Sequence, residues 1–270
     1  MNLGVRVASA AVLLAVLLGA LWLGGVAFDV VIGVAIAIGL AEFAQLAKRA
    51  GAAPPPGVLF PLAGWLLYRF LLPGDLPALE WGLGVATVFG LVAGTVLGGA
   101  GVVRWAVAVG GALYLGLCAG YYLALLRWRM PDPDHQGLRI VLTTLGSAMI
   151  GDTAALFVGS AVGRAPFFPA ISPHKTLEGA AAGFAVTTAG FALVAPSLFG
   201  LRWYHAVLLG ALVGVAAQAG DLVESALKRS AGEKDSGRLI PGHGGLLDRL
   251  DSLVFLGPVV YCYLRLVSLA

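Results

Sequence analysis

The 270-residue chain is 59% hydrophobic and only 11% charged, with a mean hydropathy of +0.92. A soluble domain carries about 25% charged residues, so these charges cannot cover a water-exposed surface and the bilayer must solvate most of the chain. A net charge of only +3 argues against a nucleic-acid partner.

A membrane span needs about 20 apolar residues. That rule predicts an all-α, polytopic membrane protein with about nine spans, over 5–27, 30–47, 57–72, 82–99, 103–126, 138–162, 180–200, 203–220 and 252–269. No separate soluble domain is expected. Met1 to Ala20 has an early Arg6 before a long apolar stretch, as a secretory signal would. A second apolar run follows at once, so an uncleaved first span is expected. Glu42 and Gln45 share one face of the second span and suit either a cavity wall or a bond between helices. Ala53-Pro54-Pro55-Pro56, Pro73-Gly74-Asp75 and Pro131-Asp132-Pro133-Asp134-His135 break the chain after spans two, three and five. The 39 glycines are scattered through the spans, where small residues let helices approach closely. Cys118 and Cys262 lie in apolar runs without ligand spacing and read as packed thiols. The chain thus divides into N-terminal transmembrane helices over 1–136 and a C-terminal transmembrane region over 137–270, which contains a polar loop at 221–251.

With the spans numbered from the N-terminus, the N-terminal side of the membrane receives eleven of the 17 Lys and Arg residues, and the 221–251 loop lies there. The excess of positive charge predicts that this side is cytoplasmic, where nucleotides are.

Charged groups at membrane depth are costly and usually functional. Asp152 sits well inside span six, in Gly151-Asp152-Thr153-Ala154-Ala155; it must face a cavity or bond a neighbouring helix. Asp221 and Glu224 stand three apart where span eight ends, and Asp248 and Asp251 repeat that spacing before span nine. On a helix this spacing puts both carboxylates on one face. Such pairs suit Mg²⁺, which takes carboxylates together with substrate phosphates. The plainer alternatives are a Glu224–Lys228 pair and a cap from Asp251 or Ser252. Lys228, Arg229, Lys234, Arg238 and Arg249, with His243 among them, supply cations for a polyphosphate. Gly242, Gly244 and Gly245 allow backbone to approach a phosphate. Binding to anionic lipid headgroups would also explain the cations, but not the interleaved Asp235, Asp248 and Asp251. The loop Ser172-Pro173-His174-Lys175-Thr176-Leu177-Glu178-Gly179 is polar on the same side, and either binds substrate or caps the next helix.

These residues resemble the phosphatidate cytidylyltransferase, or CDP-diacylglycerol synthase, family. The likeness runs from Ser225-Ala226-Leu227-Lys228-Arg229 through Lys234-Asp235-Ser236-Gly237 to Ile240-Pro241-Gly242-His243-Gly244-Gly245-Leu246-Leu247-Asp248-Arg249-Leu250-Asp251. A second block, from Asp152-Thr153-Ala154-Ala155 through Gly159 and Gly163-Arg164 to Ser172–Gly179, is similar to the family's Ser-Pro-Lys-Lys-Thr-x-Glu-Gly run. His174 replaces the first lysine, and Leu177 stands where an aromatic is common. A His carries its charge only part of the time at neutral pH, which leaves Lys175 as the lasting cation.

The resemblance implies an all-helical membrane enzyme of the cell's inner membrane that transfers CMP from CTP to phosphatidic acid, depends on a divalent metal such as Mg²⁺ with room for a second cation, and forms a homodimer. It assigns Asp221 and Asp248 to the metal, with Glu224, Asp251 and Asp152 as helpers. Lys228 and His243 join the two acids as catalytic groups. Ser172, Lys175, Thr176, Ser225, Arg229, Lys234, Asp235, Gly244, Gly245 and Arg249 are implied in substrate binding. A CTP-dependent enzyme acting on another phosphorylated lipid is the nearest alternative. An ion-coupled transporter would call for repeated halves with interrupted helices, and no repeat is visible. A lipid kinase would call for a glycine-lysine phosphate loop, and a CDP-alcohol transferase for a paired-aspartate helix; neither pattern is present.

Overall fold

The structure, a computed structural model, describes residues 3–71, 92, 99–128 and 135–269. Among these, the regular elements are helices: α1 (Leu3–Leu23), α2 (Gly25–Arg49), α3 (Pro56–Arg69), α4 (Gly99–Gly111), α5 (Cys118–Leu126), α6 (Gln136–Val162), α7 (Leu177–Phe199), α8 (Trp203–Ser230), α9 (Leu247–Leu250) and α10 (Leu256–Leu269). A π-helical turn, Ala112–Leu117, joins α4 to α5. The described residues are all-helical, as predicted. Among the described residues five helices are long and apolar enough to cross a membrane: Gly25–Arg49, Gly101–Leu126, Gln136–Val162, Leu177–Leu198 and Trp203–Ser230. The apolar stretches Val7–Leu23 and Leu256–Val267 are shorter. The span expected over 82–99 lies almost wholly outside the described residues.

Helix ends follow local chemistry. The Thr176 hydroxyl accepts the Gly179 N–H at 3.2 Å and so caps the start of α7. Gly200, left-handed at φ 69°, ends it. Helix α8 does not stop at residue 220 as the hydropathy suggested, but runs on to Ser230. Its 28 residues rise about 42 Å, against a hydrocarbon core of about 30 Å. The polar stretch from Asp221 onward therefore begins as helix that outlasts the membrane core.

The contacts divide the chain into two compact units: Met1–Leu123 with Leu227–Leu250, and Ala124–Ala226 with Asp251–Ala270. In the first, Leu59, Ala63 and Leu66 of α3 are fully buried, as are Ala112 and Leu115 of the π turn. Gly116 is placed so that a Cβ would stand 2.9 Å from the Ala63 backbone. The backbones meet there because glycine leaves the space.

The second unit is built on a seam of small residues. Ser147, Gly151, Ala155 and Gly159 recur every four residues on α6, opposite Gly190, Gly183 and Gly179 of α7. A Cβ on Gly183 would stand 3.0 Å from the Gly151 carbonyl and 3.1 Å from the Ala155 methyl. Close packing of this kind holds membrane helices together where hydrophobic burial cannot. Gln218 of α8 adds a bond from its Nε2 to the Ala180 carbonyl of α7 at 2.9 Å.

This seam sets an expected outcome. Gly183→Leu should lower the thermal midpoint of the detergent-solubilised protein, at an overpacking cost of about 1–3 kcal/mol or more. Gly146→Ala on the same α6 helix meets nothing within 4 Å and should leave the midpoint unchanged or raise it. Equal effects would show that the seam is not what joins these helices.

Candidate active site

The charged residues of the two sequence blocks fold into two carboxylate centres, one in each unit.

The first centre surrounds Asp248, on the one-turn helix α9. Its Oδ1 accepts the Lys228 Nζ at 2.8 Å, an ion pair that is mostly buried on both sides. Its Oδ2 accepts the Ser236 N–H at 2.8 Å, the Ser236 hydroxyl at 2.9 Å and the Gly245 N–H at 2.8 Å. A carboxylate has about four acceptor sites, so this one is fully engaged. Burial pushes the Asp248 carboxyl up, but the Lys228 ammonium and the Gly245 and Ser236 N–H groups outweigh it and hold it below its usual value. Next to it, Ile240–Gly244 closes a tight turn through the Ile240 N–H to the Gly244 carbonyl at 2.8 Å. Gly242 and Gly244 sit at φ 84° and 83° there, a conformation that favours glycine.

His243 lies in this turn. The Ser9 hydroxyl donates to the Pro241 carbonyl at 3.0 Å and stands 2.8 Å from His243 Nδ1. Which of the two donates follows the His243 tautomer.

The second centre surrounds Asp221 on α8. Its Oδ2 pairs with the Lys175 Nζ at 2.5 Å, and its Oδ1 accepts the Ser225 hydroxyl at 3.3 Å. Asp152 on α6 accepts the Ser252 hydroxyl at 3.1 Å and lies within electrostatic range of Asp221 and Lys175. Gly220 lets the neighbouring segment in, since a Cβ there would stand 2.4 Å from the Asp251 carbonyl. Lys175 is presented by a short hairpin. Phe167 N–H bonds the Lys175 carbonyl at 2.8 Å, and Leu177 N–H bonds the Ala165 carbonyl at 2.8 Å. The Glu178 carboxylate ties the near strand down by accepting the Arg164 and Ala165 N–H groups at 3.1 and 3.2 Å.

The remaining predicted residues are placed as follows. Asp152, Asp221, Glu224 and Asp251 belong to the second unit and Asp248 to the first. Glu224 is fully buried. Arg229, Lys234, Asp235 and Arg249 are exposed, Gly244 and Ser172 are half-buried, and Gly245 and Ser225 are buried. The Thr176 hydroxyl is engaged in the helix cap. Three participants were not among the predicted site residues. Ser236 lies within the motif, Ser252 was read only as a cap, and Ser9 lies far upstream. A fourth, Glu42, was noted as a carboxylate inside a span and left without a role.

For a divalent cation the donor chemistry is suitable: carboxylates and hydroxyls are the hard oxygen ligands that Mg²⁺ takes. Among the described residues no three His, Cys, Asp or Glu side chains converge into a protein-only cage.

The sequence profile of the Cytidylyltransferase family matches residues 4–267. A phosphatidate cytidylyltransferase of Brucella suis is 36% identical over 266 residues, which covers 97% of this chain and 93% of that protein. One from Synechocystis is 32% identical over 297 residues, covering 97% and 96%. One from Bacillus subtilis is 38% identical over 163 residues, covering 58% of this chain and 57% of the relative. The last match therefore spans little more than half of either protein.

The lowered Asp248 value carries a sign. The folded chain favours the ionised form more than the unfolded chain does. The stabilisation is complete above the ordinary aspartate value of about 3.9 and is lost as pH falls through the lower folded value. In chelator-treated protein, Asp248→Asn should therefore lower the thermal midpoint at neutral pH. The gap from the parent should shrink as the pH is taken below about 3.9, as read by scanning fluorimetry. A gap that stays constant would mean that Lys228 does not hold Asp248 as a carboxylate.

Proposed function

Because the chain belongs to the cytidylyltransferase family, we propose that it transfers the cytidylyl group of CTP to phosphatidic acid, forming CDP-diacylglycerol and pyrophosphate. The observation that carries this reading is the pair of Lys–Asp contacts, Lys228–Asp248 and Lys175–Asp221. Lys228, Asp248 and Lys175 come from the two sequence blocks that resemble phosphatidate cytidylyltransferases, and Asp221 lies four residues before the first of them. Relatives of that name align along nearly the whole chain.

In this reaction a phosphate oxygen of the lipid forms a bond to the α-phosphorus of CTP. The bond from that phosphorus to the bridging oxygen of the β-phosphate breaks, and pyrophosphate leaves with the electron pair. The lipid phosphate is itself the nucleophile, so the protein need not supply one. Its task is to position two anions and offset their repulsion. Lys228 and Lys175 are suited to this because each ammonium is already held in place by a carboxylate. Arg229, Lys234 and Arg249 are assigned to phosphate oxygens around the same loop. Ser172, Thr176, Ser225, Asp235, Gly244 and Gly245 are assigned to the substrate-contacting backbone and hydroxyls. His243 is assigned to phosphate binding or to proton movement.

Mg²⁺ is assigned to Asp221 and Asp248, with Asp152, Glu224 and Asp251 as further oxygen donors, and when bound it neutralises charge on the reacting phosphates. The two acids differ in readiness. A cation at Asp248 competes with Lys228 and three hydrogen-bond donors. Asp221 is described with two partners, Lys175 and Ser225. The assigned location is the cytoplasmic face of the cell membrane, where CTP is available and the lipid headgroup sits at the interface. The charge excess of the loops supports it. A homodimer is proposed from the resemblance alone.

The test is conversion of labelled CTP by the purified, detergent-solubilised chain, with phosphatidic acid, with another phosphorylated lipid such as an isoprenoid phosphate, and with Mg²⁺ present or chelated. The expected result is labelled CDP-diacylglycerol from phosphatidic acid with Mg²⁺ only. Asp248→Asn should reduce turnover by about 10²–10³-fold, as loss of a central electrostatic group does, while the protein stays folded. Wild-type turnover in Asp248→Asn would remove Asp248 from the site, and a preference for the other lipid would move the substrate assignment.

A further inference from the structure

Glu42 lies on α2, in the half of the chain without motif residues, and is 6% exposed. Its Oε1 accepts the Leu246 N–H at 3.0 Å. Its Oε2 accepts the Leu247 N–H at 2.7 Å and lies 3.1 Å from the Ser236 hydroxyl. The same hydroxyl lies 2.9 Å from Asp248 Oδ2, and Ser236 Oγ accepts the Asp248 N–H at 3.3 Å. One hydroxyl proton thus stands between two buried carboxylates. Moving either carboxylate changes the hydrogen bond available to the other.

The motif's glycines provide a second observation. Gly237 and Gly245 have no positive φ, so backbone conformation does not account for them. Space does. A Cβ on Gly237 would stand 2.5 Å from Glu42 Oε1, and one on Gly245 would stand 2.6 Å from both Glu42 oxygens and 2.2 Å from Ser236 Oγ. Two glycines of the 225–251 motif thus clear the room that the Glu42 carboxylate fills.

We infer that Glu42 is a positioning residue for the cytidylyl transfer: by holding the Leu246 and Leu247 N–H groups and the Ser236 hydroxyl, it sets the place of Asp248 and its partner Lys228. Glu42 itself does not touch the substrate. The inference rests on the assignment of Asp248 to the active site.

The experiment measures kcat, KM for CTP and the thermal midpoint in the full-length, detergent-purified chain. Glu42→Gln keeps the side chain's shape but replaces one acceptor oxygen with an amide donor that faces backbone donors. Misplacement by about 1 Å can cost about 10²-fold, so kcat should fall about 30-fold while KM for CTP moves little. Glu42→Asp should recover part of the loss. The losses from Glu42→Gln and Ser236→Ala should be clearly less than additive, since both act through one hydroxyl. A purely structural brace would lower the midpoint and the yield but leave kcat of the folded fraction unchanged, and that result overturns the inference. So does full additivity. Where Glu42→Gln is not recovered folded, Gly237→Ala decides. It pushes the same carboxylate with one methyl and must lower kcat, and a normal kcat there refutes the role. Asp248→Asn is run alongside. Normal activity in Asp248→Asn refutes the site assignment and this inference together. An inactive Asp248→Asn beside a normal Glu42→Gln refutes only the inference.

Discussion

A carboxylate that leaves water must find donors to replace it, and in this chain that requirement organises the loops. Asp248 is buried and meets an ammonium, two backbone N–H groups and a hydroxyl. An isolated buried charge is too costly to keep. The Asp248 environment is therefore either complete or unstable, and the 236–248 segment must fold in whatever way completes it. The cost of burying charge is thus what fixes Lys228 in place. Asp221, which is only partly buried, is met by Lys175 and Ser225.

The loops themselves are anchored by carboxylates acting on backbone. Glu178 holds the Arg164 and Ala165 N–H groups, and Glu42 holds those of Leu246 and Leu247. Each acid sits on a helix and pins a loop that carries a lysine-paired aspartate or its lysine. Charge-assisted bonds to backbone N–H are stronger than neutral ones and depend on direction. A membrane helix is a rigid base from which to aim them. Such bonds hold the polar loop steady alongside its few buried apolar residues, Ile240 and Leu247.

What the sequence disclosed was what is local. Hydropathy located the long helices, and the three-residue spacing of Asp221 and Glu224 read correctly as helical. Hydropathy misplaced the end of α8 because it marks where the membrane stops, whereas Leu222-Val223-Glu224-Ser225-Ala226-Leu227-Lys228 keeps a helix-forming composition beyond that edge. Partners far apart in the chain were out of reach. Glu42 and Leu247 are 205 residues apart, and Ser9 and His243 are 234 apart. Glu42 did announce itself as a carboxylate within a span, but nothing local named its donors. For Thr176 the sequence allowed both a cap and a substrate contact, and only geometry shows its hydroxyl accepting from Gly179.

The glycines show why composition alone underdetermines such a site. Gly183 and Gly116 are needed because backbones touch, Gly242 and Gly244 because φ is left-handed, and Gly237 and Gly245 because a carboxylate fills the space. These are three separate physical demands met by one residue type. The third links the two ends of the chain, since the shape of the motif loop presupposes an acid on α2. A substitution at Glu42 and one at Gly237 or Gly245 therefore disturb the same volume from opposite sides. The C-terminal motif is for that reason not a self-contained structural unit: its geometry includes a residue of the N-terminal helices.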